Sequence, residues 1–525
     1  MKKSPIQNNG LRLLKKGQKG LVHALFSRLG LFVVLLAMQF FALFSAFRWF
    51  EGVLPHLFGG TVLFTAGMVL YLLNSPINST AKNTWLVVIM LLPVFGALLF
   101  WYTQSEFGHR AVKRRIEQLV QQTGQLLAQS PQTKQELNQQ PGCSALASYV
   151  NRNGCHPVYQ NTAVTYFASG EAKWQEMLRQ LEQAKHFIFL EYFIVDEGLM
   201  WGRILEILAR KAREGVEVRV MYDGTCEFST LPQDYPRRLK ELGIQCKVFA
   251  PVVPLVSTYY NYRDHRKILV IDGHTAFNGG VNLADEYINH IEKYGHWKDA
   301  AIMLKGPAVR SFTLMFLQMW NIFEKDAKFD EFLDIPVPQV PQAQGFVMPY
   351  GDCPLDEDKV GEMVYIDLLN RATKSVSIMS PYLILDGEME TALRFAAQRG
   401  VRVRLILPGV PDKSAPYALA KTHYRSLLKA GVELYEYTPG FVHSKVFVMD
   451  GVEAVVGTIN LDYRSLYHHF ECATWMCQVP CIAQIEQDFE NTLPQCRPVT
   501  ESTLWAGCQH LEWLGRLLKV VAPLM

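Results

Sequence analysis

His265-Arg-Lys267-Ile-Leu-Val-Ile-Asp272, closed after six further residues by Gly279-Gly280-Val-Asn282, occurs a second time as His443-Ser-Lys445-Val-Phe-Val-Met-Asp450 and Gly457-Thr458-Ile-Asn460. Every matched pair is displaced by the same 178 residues. A single H-x-K-x-x-x-x-D is a weak motif, but a second copy with a G-x-x-N at the same distance is not accidental. The chain is therefore duplicated internally, at a period far longer than that of a solenoid.

The flanking sequence repeats the same plan. AKHFIFLEYFIV (184–195) reads as a strand, GRILEILARKAREG (202–215) as a helix closed by Gly215, and VEVRVMYD (216–223) as a second strand. ATKSVSIMSPYLI (372–384), METALRFAAQRG (389–400) and VRVRLILPG (401–409) give strand, helix and strand again. LKELGIQCKVFAP (239–251) answers LLKAGVELYEYTP (427–439), and the Pro/Gln-rich 334–345 separates the halves. The expected fold class is α/β, with two duplicated lobes facing each other over 155–333 and 346–525.

Ile-Leu-Val-Ile and Val-Phe-Val-Met are strand sequences, so residues two apart share a face. His265 projects with Lys267, and His443 with Lys445. The glycines let the next strand approach closely, returning the amides of Asn282 and Asn460 to the same place. Two facing halves then offer two imidazoles, two ammonium groups and two amides around one point. Lys267, Lys445, Asn282 and Asn460 suit the non-bridging oxygens of a phosphate and the charge of its transition state. Two histidines let one attack phosphorus while the other protonates the leaving oxygen. Aligning HHFECATWM with HWKDAAIML sets Glu471 against Asp299, two acids able to fix the histidine tautomers. Asp272 and Asp450 complete the motifs and are counted with the catalytic set, orienting lysine or backbone groups rather than acting as bases. A zinc site is not expected: there is no H-E-x-x-H, lysine is no ligand at neutral pH, and the ten cysteines form no C-x-x-C.

The chain has 525 residues, a net charge of +3 and a mean hydropathy of +0.04. Residues 1–105 hold nine Lys/Arg and one acid, a net +8 that leaves −5 for the rest. A −5 body is a poor polyanion binder, so no nucleic-acid partner is expected. Three uncharged runs, 29–47, 57–73 and 84–102, are each near the length of a membrane-crossing helix, with Trp49, Tyr71, Trp85, Trp101 and Tyr102 at their ends. They are expected as transmembrane helices after a basic leader (1–28), with a polar helix and linker over 103–154. Basic residues flank both sides, ending in Arg110, Lys113, Arg114 and Arg115. An odd number of spans cannot keep both flanks inside, which leaves the topology open.

The paired HRKILVID…GGVN and HSKVFVMD…GTIN resemble the phospholipase D superfamily and, more narrowly, its bacterial cardiolipin synthases. The narrower resemblance rests on Pro93-Val-Phe-Gly96, Asn261-Tyr-Arg263-Asp-His265-Arg-Lys267, Trp297-Lys298-Asp299, Pro381-Tyr382, Asn460-Leu-Asp462-Tyr-Arg464-Ser465, Phe470-Glu471 and the closing Ala522-Pro-Leu-Met525. It covers about Leu57 to the C-terminus, with Thr458 where many superfamily members have Ser. The resemblance implies phosphatidyl transfer between two phosphatidylglycerols, without cofactor or metal, by a multi-pass enzyme whose catalytic part faces the cytoplasm. By analogy His265 attacks and His443 serves as acid and base, although the halves are too alike for their residues alone to assign the nucleophile. PVVPLVSTYYNY (251–262) suits either a lipid channel or an ordinary buried loop. Hydrolysis of the same lipids, phosphatidylethanolamine as donor, and phosphodiesterase or nuclease action are the competing readings.

Overall fold

A computed structural model describes residues 11–13, 38, 41, 45, 61–104, 110–140, 142–251, 262–338, 340, 342–356, 358–505 and 509–524. The first expected span, 29–47, lies outside the described residues apart from three single positions, as does most of the 251–262 segment.

Two sheets form the centre. The first runs in the order β1 (Ala163–Phe167), β9 (Ala301–Lys305), β7 (Thr275–Gly279), β6 (Lys267–Ile271), β2 (Phe187–Tyr192), β3 (Glu217–Asp223), β4 (Gln245–Phe249). The second repeats it strand for strand: β10 (Phe346–Asp352), β17 (His469–Cys477), β16 (Glu453–Gly457), β15 (Val446–Met449), β11 (Ser375–Met379), β12 (Arg402–Pro408), β13 (Glu433–Tyr437), with β18 (Cys496–Pro498) added at the edge. β2, β3 and β4 are parallel, as are β11, β12 and β13, and each motif strand runs antiparallel to its neighbours. Phe189, Ile268 and Val270 of one sheet meet Val448, Val456 and Phe470 of the other in a shared core, while helices cover the outer faces. The motif strands are buried on both sides, which explains their unbroken apolar sequence.

The glycines act where the motif needs them. A Cβ on Gly279 would come within 2.5 Å of Ala301 Cα, and one on Gly457 within 2.5 Å of Ala473 Cα. Only glycine lets β7 lie this close to β9, which follows Asp299, and β16 to β17, which carries Glu471.

The N-terminal apolar runs depart from expectation. No helix among the described residues is long and apolar enough to cross a membrane. The 57–73 run supplies α1 (Thr61–Asn74), and the 84–102 run is broken into α2 (Ser79–Leu91) and α3 (Pro93–Gln104). Pro93 has no N–H to continue α2, and Leu92 leaves the helix at φ −137° and ψ 75°. The chain then folds back, with α3 against α2; a Cβ on Gly96 would stand 2.8 Å from Ile89 Cα. The stretch expected as polar helix and linker is also packed: the helix Arg110–Thr123 buries Val112, Ile116 and Leu119 in the core between the sheets.

Candidate active site

Two short pairings cross between the lobes. β5 (Arg263–Asp264) of the first pairs in parallel with β17 of the second, and β14 (Gly440–Val442) of the second pairs in parallel with β8 (His296–Lys298) of the first. Each ends on a motif histidine. His265 N–H donates to Phe470 O at 2.9 Å, and His443 N–H donates to Lys298 O at 2.7 Å. The residue after each of those carbonyls is the acid. Nδ1 of His265 therefore lies 2.8 and 3.0 Å from the two oxygens of Glu471, and Nδ1 of His443 lies 2.8 Å from Asp299 Oδ2. Both acids are fully buried. A carboxylate only accepts, so Nδ1 of His265 carries the proton and its Nε2 is bare.

The lysines lie beside these rings. Lys267 Nζ donates to His265 O at 2.5 Å, Lys445 Nζ donates to His443 O at 2.6 Å, and Lys445 Nζ also stands 2.9 Å from His443 Nδ1. Burial, the two lysines and His443 hold His265 well below the usual imidazole range. Burial and Lys445 bring His443 down to about 4 against the pull of Asp299. Burial lowers Lys267 to about 8 and Lys445 to about 7. Asp299 is pushed up by burial but held low on balance by His443 and Lys445. The resting site thus has neutral imidazoles between ammonium groups that hold their protons weakly, a state suited to receive a phosphodiester anion.

The half-sites are not identical. Thr458 Oγ1 donates to Glu471 Oε2, whereas the matching position beside Asp299 is Gly280, where a Cβ would come within 2.1 Å of Asp299 Oδ1. His265 packs against Phe193 and His469, with ring centres 5.0 and 5.3 Å away, and His443 against Tyr287 and Trp297 at 5.3 and 5.4 Å. His469 is the residue that sequence reasoning missed: a third buried imidazole, with Nδ1 3.7 Å from Glu471 Oε1. Its place two residues before the acid, matching Trp297, was the available signal.

Not every expected residue reaches this centre. Asp272 and Asp450 sit in left-handed turns (φ 50° and 52°) at the far ends of their strands, about 15 Å along β6 from the lysine in the first case. Asp272 accepts the backbone N–H groups of Lys185, His186 and Phe187; Asp450 accepts those of Thr373, Lys374 and Ser375. They hold the start of β2 and β11, which is the orienting of backbone groups expected of them, and a strand separates them from the histidines. Asn282 is also committed locally, donating to Tyr287 Oη at 2.8 Å and accepting from Ile194 N at 3.1 Å. Asn460 bonds to Asp462, and its buried Oδ1 has no partner among the described residues. Of the four groups assigned to phosphate, the two lysines flank the histidines most directly.

Among the described residues, two groups bring metal-ligand atoms within 4.8 Å of one another: His265 with His469 and Glu471, and Cys143 with Glu453 and Cys477. In the first, the charges of Lys267 and Lys445 act on the same histidine and oppose a divalent ion. In the second, Glu453 is already held by Arg371 at 2.5 and 2.8 Å and by Trp475 Nε1 at 2.8 Å.

Residues 177–320 and 365–493 match a family model described as "Cardiolipin synthase, PLD-like domain". A cardiolipin synthase of Alkalihalophilus pseudofirmus is 31% identical over 90% of this chain and 94% of its own. A Streptococcus mutans protein described as uncharacterized is 55% identical over 87% of this chain and all of its own. Among solved structures, a phosphatidylserine synthase of Haemophilus influenzae has a TM-score of 0.55 at 14% identity, covering 70% of this chain and 97% of its own. That last likeness speaks to the fold.

Proposed function

The chain belongs to the phospholipase D-like cardiolipin synthase family and is a phosphatidyltransferase; from that premise we propose that it moves a phosphatidyl group from one phosphatidylglycerol to another, giving cardiolipin and glycerol at the cell membrane. Nε2 of His265 attacks phosphorus, a P–N bond forms, and the P–O bond to the headgroup glycerol breaks. His443 gives its Nε2 proton to the departing oxygen. A second phosphatidylglycerol enters, His443 takes the proton from its terminal hydroxyl, and that oxygen displaces His265 from phosphorus. Lys267 and Lys445 balance the charge of the five-coordinate phosphorus.

The observation that carries the assignment of roles is the surroundings of the two Nδ1 atoms. That of His265 is held by both oxygens of Glu471, which favours the proton on Nδ1 and leaves Nε2 as the nucleophile. That of His443 faces both Asp299 Oδ2 and Lys445 Nζ, so it can donate to one or accept from the other. Accepting from Lys445 places the ring proton on Nε2; as that proton passes to the leaving oxygen, Lys445 gives its own to Nδ1, so the ring stays neutral and ends with Nε2 bare. The same switch, run backwards, lets it serve as base.

Purified full chain given phosphatidylglycerol labelled in its headgroup should release labelled glycerol and form a four-chain lipid. Phosphatidic acid as the main product would assign hydrolysis instead. Rapid quench in neutral denaturant during turnover, which spares the acid-labile P–N bond, should trap a phosphatidyl adduct on wild type and His443→Ala but not on His265→Ala; an adduct on His443 would reverse the roles.

A further inference from the structure

The apolar surface around α1–α3 has an unexpected partner at the other end of the chain. The C-terminal helix α14 (His510–Val521) lies on the helix Ser414–Ala430, where Gly515 fits so tightly that a Cβ would come within 2.4 Å of Ala418 O. Its opposite side presents Trp513, Leu517 and Val520 to the outside, 78%, 71% and 41% exposed, at a helical spacing of four and three. α14 is fixed to α2 by Thr84 Oγ1, which donates to Val520 O at 2.6 Å. Segments more than 400 residues apart in sequence thus build one surface.

On the N-terminal side that surface continues with Leu63, Tyr71, Met90, Leu91 and Trp101, each more than 60% exposed. Residues 57–104 carry a single charge, Lys82, whose Nζ turns back to Leu73 O. At 1.5 Å per residue, α2 and α3 reach only about 20 and 18 Å, against roughly 30 Å of hydrocarbon. Because the chain reverses at Leu92–Pro93, Ser79 and Gln104 lie at the same end of this hairpin. That end is tied to the second lobe: Asn78 Nδ2 donates to Asp386, Glu388 and Tyr467 at 3.0–3.1 Å. Tyr467 precedes His469 and Glu471 by two and four residues.

We propose that α1–α3 and α14 form a wedge that enters one leaflet of an anionic bilayer from the side of the catalytic body, the α2–α3 hairpin turning round inside the lipid rather than crossing it. Helices satisfy their own backbone groups, so lipid can cover them, and a contiguous apolar patch of this kind is rare on a free soluble surface. Trp101 and Trp513 suit the headgroup boundary. The net +8 of residues 1–105, with Arg516 and Lys519 on α14, complements anionic headgroups. The wedge places the histidines beside the surface from which both lipid substrates come, and in this it rests on the phosphatidyl-transfer reading.

The test uses the full chain in vesicles of phosphatidylcholine and phosphatidylserine, the latter chosen because it is not the proposed substrate. Single cysteines are introduced as Ser75→Cys and Gln104→Cys at the base, Leu92→Cys at the turn and Leu517→Cys on α14. Labelling by an impermeant maleimide is read above the wild-type background. The base positions should label from the side of the catalytic body. Leu92→Cys and Leu517→Cys should label from neither side until detergent is added. Labelling of Leu92→Cys from the opposite side would mean that the hairpin spans, and labelling from the body side that it stays in water; either overturns the wedge. Protection in lipid-free protein would overturn it in favour of a second copy of the chain. As a second measure, Trp513→Glu with Leu517→Glu should cut turnover of vesicle phosphatidylglycerol at least tenfold and leave a short-chain soluble analogue unaffected. Equal turnover on both would refute the wedge. Loss of the short-chain reaction in wild type would instead tell against the phosphatidyl-transfer reading.

Discussion

Glu471 belongs to the second lobe, yet its carboxylate lies 2.8 Å from Nδ1 of His265 in the first. Asp299 and His443 make the reverse exchange. Neither lobe therefore holds a complete histidine–acid pair, and both pairs are assembled across the seam that β5 and β14 stitch together. A duplicated domain with self-contained halves could lose one and keep partial activity, whereas this arrangement requires both.

Glu471→Gln keeps the shape but can present its amide N–H to His265, which favours the tautomer with the proton on Nε2 and removes the nucleophile. We expect turnover to fall by roughly 10²- to 10⁴-fold, the range for a lost general acid–base function, with unfolding temperature little changed. Asp299→Asn should be milder, because Lys445 still contacts His443 Nδ1. Equal losses in the two variants would contradict the asymmetry of the half-sites. The measurement is initial rate on short-chain phosphatidylglycerol together with a thermal melt.

The pH dependence follows from the same groups. His443, at about 4, gains a proton only in acid, while Lys445 and Lys267 lose theirs near 7 and 8. kcat/KM should therefore fall on the acid side near pH 4 and on the alkaline side between about 7 and 8. A bound phosphodiester anion favours the ammonium forms, so the alkaline limb of kcat alone should lie at higher pH. A pH profile flat through pH 9 would show that the lysines need not be charged.

Asp272 tests the division between motif and mechanism. Its carboxylate accepts three backbone N–H groups at 2.7–2.8 Å. Asp272→Ala leaves those donors unsatisfied and should cost about 2–4 kcal/mol, since single hydrogen bonds to charged groups are worth about 1.5–3. Turnover per folded molecule should stay within a few-fold of wild type. Denaturant unfolding and active-site titration separate the two effects; a variant that folds normally but is inactive would return Asp272 to the catalytic set.

Much of the site was legible because its residues adjoin two apolar strands. The apolar runs became β6 and β15, with His265, His443 and Lys445 just ahead of them rather than on them, and the repeated interval to the glycines matches the close approach to Ala301 and Ala473. The cross-lobe exchange was not legible. It depends on β5 and β14, two and three residues long, which carry no periodicity of their own. Asp272 and Asp450 do orient backbone groups, as expected of them, but which backbone groups was not legible, since a motif records residues that recur together, not residues that touch. In the N-terminal part, counting apolar residues over a window could not see that Pro93 and Gly96 turn the run back on itself.

Lys173 offers the sharpest separation of stability from function. It is fully buried, its Nζ donating to Val281 O at 3.2 Å and Tyr192 Oη at 3.4 Å, and no carboxylate oxygen lies within ion-pair distance of it among the described residues. At the matching place in the second lobe, Tyr365 Oη donates to Ile459 O at 3.2 Å, so a neutral hydroxyl performs the same backbone contact. Burial lowers Lys173 to about 7 from an ordinary 10.5. The unfolded chain binds this proton up to 10.5 and the folded chain only to about 7. The lysine's penalty is therefore absent above pH 10.5, grows as the pH falls, and is complete below 7. Lys173→Met should raise the unfolding free energy by a few kcal/mol at pH 7, at 1.36 kcal/mol per pKa unit, and gain progressively less as the pH rises towards 10.5. If the buried ammonium serves catalysis by adding to the positive field that Lys267 and Lys445 present to phosphate, the stabilised variant will turn over more slowly, with its loss concentrated below pH 7. Lys173→Tyr, which copies the second lobe, should share that defect. A variant both more stable and fully active would reduce Lys173 to a structural contact.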